Sequence, residues 1–270
     1  MRPGNAVSLS AFLFFIVAGW LRRLAPKQRC RLASLGLLGA FLILMTQFLS
    51  KWFPVAARAI GDWLPSILLL LVYWQAGRFI NTPNEGLQAW LERFDRRRLG
   101  AVLRGWNSHV NTNWIGSYFE LAYLFCYVLI PLGIGILYLA NLRIAIDTYW
   151  ATVLPATYIC YGVIPFAQTL PPRLRHGNEG LPCGKQKIRT MNLFILRHGS
   201  IQLNTFPSAH VASTVGASLV LIHLLPVAGL VFLVISASIA VGAVVGRYHY
   251  ALDVIFGAAL SVGIFSLIEV

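Results

Sequence analysis

The chain has 270 residues, 57% of them apolar and only 11% charged, with a mean hydropathy of +0.69. A soluble domain carries about 25% charged residues, so composition excludes an ordinary soluble globule and implies a polytopic membrane protein. The formal net charge of +13 shows no aromatic and basic interleaving of the kind that stacks bases, which argues against a nucleic-acid partner.

In chain order, the apolar runs predict crossings near 6–21, 32–49, 63–80, 115–139, 144–168, 208–225, 227–246 and 250–268. Lipid offers backbone polar groups no partners, so spanning segments are helices or a closed barrel. Runs of this length without period-2 alternation exclude the barrel, and the expected fold is an all-α integral membrane bundle. The first run is the shortest, reaching about 24 Å at 1.5 Å per residue against a hydrocarbon core of ~30 Å. No small-residue cleavage site follows it, and Arg22, Arg23, Lys27, Arg29 and Arg31 come directly after. That pattern predicts an uncleaved first helix instead of a signal peptide.

Of the 22 Lys and Arg residues, 18 fall in alternate connections: five in 22–31, six in 78–104, six in 173–197, and Arg247. The other face holds Arg2, Lys51, Arg58 and Arg143. The positive-inside pattern then places the heavily basic loops in the cytoplasm, where anionic headgroups attract them. Within 84–105, Leu87, Trp90, Leu91, Phe94, Leu99 and Val102 form an imperfect apolar stripe beside five arginines. This predicts a helix lying in the headgroup region on the site face. Residues 171–206, punctuated by Gly177, Gly180, Pro182, Gly184 and Gly199, are expected to cap the site. Cys30, Cys126, Cys160 and Cys183 show no paired spacing, so neither a disulfide framework nor a metal site is indicated.

The chemistry concentrates near the C-terminal end. Phe206-Pro207-Ser208-Ala209-His210 precedes one apolar run and Arg247-Tyr248-His249-Tyr250-Ala251-Leu252-Asp253 another, with 38 residues between the two histidines. Two crossings fit in that interval, so His210 and His249 share one membrane face, and Arg173 ends an earlier run on the same side. His249 and Asp253 are four apart, hence on one helix face. The carboxylate can fix the tautomer by accepting the Nδ1 proton, leaving Nε2 as a nucleophile toward phosphorus. His210 can protonate the departing alkoxide. Ser208 and the backbone N–H of Ala209 open a helix and form an oxyanion site, while Arg173 and Arg247 suit the phosphoryl oxygens. Taken singly, these residues read as headgroup contacts, snorkelling arginines and a helix cap; their joint occurrence at one face points to attack on phosphorus. No Gly-x-Ser-x-Gly elbow surrounds Ser208, which argues against a serine hydrolase. Glu120, an acid inside an apolar run, can pair with a site arginine or bridge two helices.

At these residues the chain resembles the type 2 phosphatidic acid phosphatase superfamily, which includes the vanadium haloperoxidases. Pro207-Ser208-Ala209-His210 matches the family's Pro-Ser-x-His, and His249 with Asp253 matches its His-x-x-x-Asp. The resemblance implies a six-helix catalytic core within 63–270, two accessory helices within 1–62, a phosphohistidine at His249, Asp253 as its orienter and His210 as general acid. It implies no cofactor or metal, and a phospholipid, isoprenoid or sphingolipid phosphate as substrate. Two positions depart from the pattern: Phe166 stands where the first motif has Lys, and Gly242-Ala243 where the third has Ser-Arg. Arg247 can substitute for that arginine. Pro171-Pro172-Arg173 and the His249-Tyr250 pair look more like inositol phosphorylceramide synthases, so water and an alcohol are both open as acceptors. Relatives are expected to work at the outer or lumenal face, opposite to the cytoplasmic side that the charge count favours. A non-catalytic phosphate-binding protein or transporter is the alternative of another class, for which cations without a nucleophile would suffice.

Overall fold

A computed structural model describes residues 1–79, 82–103, 114–175, 187–201 and 206–268. Helices account for the whole architecture: α1 (Pro3–Leu21), α2 (Pro26–Leu49), α3 (Pro54–Ala76), α4 (Glu85–Arg98), α5 (Trp114–Leu124), α6 (Cys126–Leu139), α7 (Ile146–Val163), the single turn α8 (Pro172–Arg175), α9 (Lys187–Gly199), α10 (Ala209–Leu224), α11 (Pro226–Val245) and α12 (Ala251–Leu267). Pro3, Pro26, Pro54 and Pro226 each occupy the first turn of their helix, where a missing N–H costs nothing and the fixed φ favours entry.

The chain is a multi-pass, all-α membrane protein, with fewer clear spans than its apolar runs suggested. Helices α1, α2, α3 (continued by a 3₁₀ turn to Phe79) and α11 are long and apolar enough to cross, and the bent pair α5–α6 makes a fifth if it is one span. The remaining expected crossings fall on α7, α10 and α12. Helix α7 buries Thr152 and Thr157 among protein side chains, and a helix lined by protein need not be uniformly apolar. Helices α10 and α12 have 16 and 17 residues, short of the ~20 that a full crossing takes. The run at 115–139 also breaks at Phe125, where the chain turns by 60°. Hydropathy is continuous across that break, but the two halves have different neighbours: α5 packs on α11 and α9, α6 on α10 and α3.

One buried core joins Phe12 and Phe15 of α1, Leu68 and Val72 of α3, Leu129 of α6, and Trp150 of α7. The N-terminal helices thus share their apolar interior with the rest of the bundle. At the end where α1 and α3 begin, the Asp62 carboxylate takes Arg2 and Arg143 at 2.7 Å each and the Tyr138 hydroxyl at 2.6 Å; Arg2 also reaches Asp147 at 2.7 Å. The site lies at the other end.

The amphipathic helix expected over 84–105 is α4, capped by Asn84, whose side chain accepts from the Leu87 N–H. It is more than a surface float. Leu91 is buried against Tyr250 and Leu252. Gln88 accepts from the Leu170 N–H at 2.9 Å and donates to the Tyr250 hydroxyl. Helix α4 thereby holds the segment leading to Arg173 against the start of α12.

Candidate active site

Helix starts and one tight turn build the site. Ser208 is the N-cap of α10, and its N–H donates to the Asp253 carbonyl at 2.8 Å. That approach requires Gly257: a Cβ there would stand 2.4 Å from the Ser208 carbonyl oxygen, a distance real side chains do not reach. The turn after α11 has its own constraint. The N–H groups of Tyr248 and His249 both donate to the Ala243 carbonyl, at 2.8 and 2.9 Å. Arg247, directly before them, adopts φ 60°, a left-handed conformation that costs about 1–2 kcal/mol for a residue with a Cβ.

Asp253 lies in the first turn of α12. Its Oδ2 accepts the Tyr250 N–H at 2.8 Å and lies 3.3 Å from His249 Nδ1. With Nδ1 protonated toward that carboxylate, Nε2 presents its lone pair on the other side, 3.5 Å from Ser208 Oγ. The His210 ring stands edge-on to His249 with centroids 6.0 Å apart, between Tyr123 at 5.8 Å and Tyr127 at 5.6 Å.

The two imidazoles face a small, partly open cavity whose wall includes Arg173, Ala209, His210, Tyr248 and His249. Of the sequence-derived residues, the structure thus brings together His249, Asp253, Ser208, Ala209, His210 and Arg173. It treats Arg247 differently: its carbonyl accepts the Arg173 N–H at 3.1 Å, and its side chain is not part of the cavity wall. Phe166 is 54% exposed and remote from the cavity wall. Ala243 is fully buried, and a Cβ at Gly242 would come within 2.5 Å of the Phe119 carbonyl, so neither position has room for a long basic side chain.

Part of the site escaped sequence reasoning. Tyr73, Tyr123 and Tyr161 line the cavity, yet inside apolar runs they look like any packed aromatic. Tyr123 stacks on Tyr248 at 4.2 Å and 10°, and Arg173 lies 5.3 Å from the Tyr248 ring centre. The Tyr248 hydroxyl donates to Glu120 at 2.6 Å. Glu120 does pair with an arginine, but with Arg189 of α9, at 2.6 Å. Within the expected cap, Leu196, Ser200 and Ile201 wall the cavity. Tyr73 ties the last two down, donating to Ser200 Oγ at 3.0 Å and accepting the Ile201 N–H at 2.6 Å. The rest of that cap, 176–186 and 202–205, lies outside the described residues, as do Lys185 and Cys183; Lys187 begins α9.

The electrostatics favour an anion. Burial holds the Arg173 guanidinium below its usual range, and the neighbouring Arg189 adds to that. No carboxylate pairs with Arg173 among the described residues. Behind Asp253, Asp95 of α4 accepts the Ala251 N–H at 3.1 Å. Burial pushes its carboxyl up to about 6, and the nearby Asp253 charge adds to the rise. Among the described residues no three His, Cys, Asp or Glu side chains converge as a metal set.

Comparison with protein-family models matches the PAP2 superfamily over residues 89–267, about two thirds of the chain. The chain belongs to the PAP2 superfamily. Its members are generally phosphatase- and phosphotransferase-type enzymes, and the match runs from within α4 through α12, covering every element that contributes the His–His–Asp constellation. No match was found among curated proteins or among solved structures. PAP2 membership accounts for the all-helical membrane bundle.

Proposed function

We propose that this PAP2 protein is a membrane lipid phosphate phosphatase working through a phosphohistidine at His249. The observation that carries the reading is the relay Asp253–His249–Ser208 opening into a cavity that also holds His210 and Arg173. A phosphate binder needs only the cation; a buried carboxylate that fixes an imidazole tautomer serves nucleophilic attack.

In the first half-reaction His249 Nε2 attacks phosphorus. The Nε2–P bond forms and the P–O bond to the lipid alcohol breaks, its electron pair leaving on oxygen, which takes a proton from His210. Asp253 stabilises the positive charge on the imidazole through Nδ1–H. In the second half-reaction His210, now neutral, removes a proton from water. The resulting hydroxide attacks phosphorus, the Nε2–P bond breaks, and inorganic phosphate departs. Arg173 and the N–H groups at the start of α10 neutralise the equatorial oxygens throughout.

Lipid phosphotransfer is the second reading, with an alcohol replacing water. It draws on the Tyr73 hydroxyl, which clasps Ser200 and Ile201 over the cavity and so limits water access. The test supplies a purified, detergent-solubilised sample with labelled phosphatidate, with and without polyol or lipid alcohols, and separates the products. Free phosphate at an unchanged rate is expected. A phosphomonoester of the added alcohol formed at the expense of phosphate release overturns hydrolysis in favour of transfer, and neither product refutes both.

A further inference from the structure

Among the described residues the cavity wall contains a single arginine, Arg173, whereas a phosphomonoester brings two negative charges. A second guanidinium lies close by. Arg189 sits 5.8 Å from the centre of the Tyr248 ring, the ring that Arg173 also covers, and its Nη1 stands 3.5 Å from the Gly246 carbonyl at the start of the turn carrying His249. Its charge is felt at Arg173. Glu120 holds it at 2.6 Å, and the same carboxylate accepts from Asn192 and Tyr248 at 2.6 Å each. Glu120 is buried in the apolar helix α5, and such a carboxylate persists only with compensating donors. Two neighbouring guanidinium groups in an apolar setting need a counter-charge before any substrate arrives, and Glu120 is placed to supply it. A small crevice lined by Glu120, Arg189, Gly242 and Gly246 adjoins the turn.

We propose that Arg189 is a second phosphate ligand of the site, parked on Glu120 as resident counter-ion until a phosphoryl dianion takes its place. This rests on the reading of the cavity as a phosphate site and gives α9 a purpose: it carries a cation to a place where α11 offers only Gly242 and Ala243. Arginine suits the role because its planar fork can exchange one oxyanion for another.

The test measures vanadate and inorganic phosphate binding by calorimetry on the purified full chain, alongside thermal melting. Arg189→Gln is expected to weaken vanadate at least about tenfold, the scale of one charge-assisted hydrogen bond, with Arg189→Lys recovering part of it. Glu120→Gln leaves vanadate affinity unchanged or improved, since the competing carboxylate is gone. The double variant Arg189→Gln/Glu120→Gln removes the unpaired acid, regains melting temperature, and still binds vanadate weakly. If Arg189 served only as a structural partner, the double variant would recover affinity together with stability, which overturns the proposal, as does unchanged affinity in Arg189→Gln. A wild-type protein that binds vanadate through Arg189 but releases no phosphate leaves this assignment standing and removes the phosphatase one. Absence of any anion binding removes both.

Discussion

The two ends of the helical bundle both bury charge, and they do so to different ends. At the end where α1 and α3 begin, Asp62 is enclosed by Arg2, Arg143 and Tyr138, and Arg2 is shared with Asp147. Acid and base answer each other there and nothing is left to recruit a ligand. At the other end Arg173 is buried beneath the cavity without a carboxylate partner among the described residues, beside two imidazoles and a row of N–H groups. Low dielectric makes an unanswered charge expensive, so it persists where a ligand completes it. The closed network acts as a staple, and the open one leaves a cation for the proposed phosphate substrate to complete.

This contrast can be broken in graded ways. The largest effect is expected from His249→Ala, which removes the nucleophile and should cost several powers of ten in phosphate release with no loss of melting temperature. A tenth of wild-type turnover surviving would end the assignment. Arg173→Gln is expected next, lowering kcat/KM by about 10²–10³, and the variant should melt no lower than wild type because it sheds a buried cation. Asp62→Asn should reverse that signature. Two partly exposed arginines lose their shared acid, at a cost of about 1–3 kcal/mol in stability, while KM and kcat stay within about twofold of wild type. An Asp62 variant that melts normally yet turns over slowly would show that the far end is not a passive staple.

Gly257→Ala tests the mechanical side of the site end. The added Cβ meets the Ser208 carbonyl at 2.4 Å, and overpacking of this kind costs about 1–3 kcal/mol. The expected outcome is a lowered melting temperature with a fall in kcat, read by calorimetry and by phosphate release. The smallest effect belongs to Asp95, whose carboxyl burial pushes up to about 6 from the usual 3.8. The folded state holds the proton more tightly, so its contribution to stability is complete below about pH 4 and is lost as pH rises through about 6. Asp95→Asn keeps an oxygen for the Ala251 N–H and removes the charge. It should raise the melting temperature at pH 7.5 by about 2–4 °C and make no difference at pH 4.

Local spacing told much of this in advance. The four-residue spacing announced that His249 and Asp253 meet, although His249 stands before the first residue of α12 and Asp253 in its first turn, so the contact spans the helix start and not one helix face. His210 joins them because 38 largely apolar residues return the chain to the same face. Relations between distant segments were not legible. Glu120 and Arg189 are 69 positions apart, and no pattern in either helix names its partner. The 60° turn at Phe125 leaves no mark in hydropathy, since lipid and protein core both accept apolar side chains. The same ambiguity led to eight expected crossings: an apolar run reports that water is excluded, whether by lipid, as around α2, or by other helices, as around α7. Helix α4 shows the converse, for its stripe announced an amphipathic helix but not that Gln88 would bind Leu170 and Tyr250.

The contact between α10 and α12 reaches beyond the arrangement of side chains. Ser208 is bound to the Asp253 carbonyl, Ser261 to the Ala212 carbonyl, and Gly257 lets the two backbones touch. His249 and His210 therefore ride on one stiff unit near the centre of the bundle. Helix α2, the least buried of the long apolar helices, stands at the periphery. When the bilayer thickens or thins, tilt of such outer helices absorbs the mismatch at a fraction of a kcal/mol per ångström, and the separation of the imidazoles does not change. Turnover in vesicles of different acyl-chain length should accordingly follow the headgroup presented and ignore the thickness of the membrane that presents it.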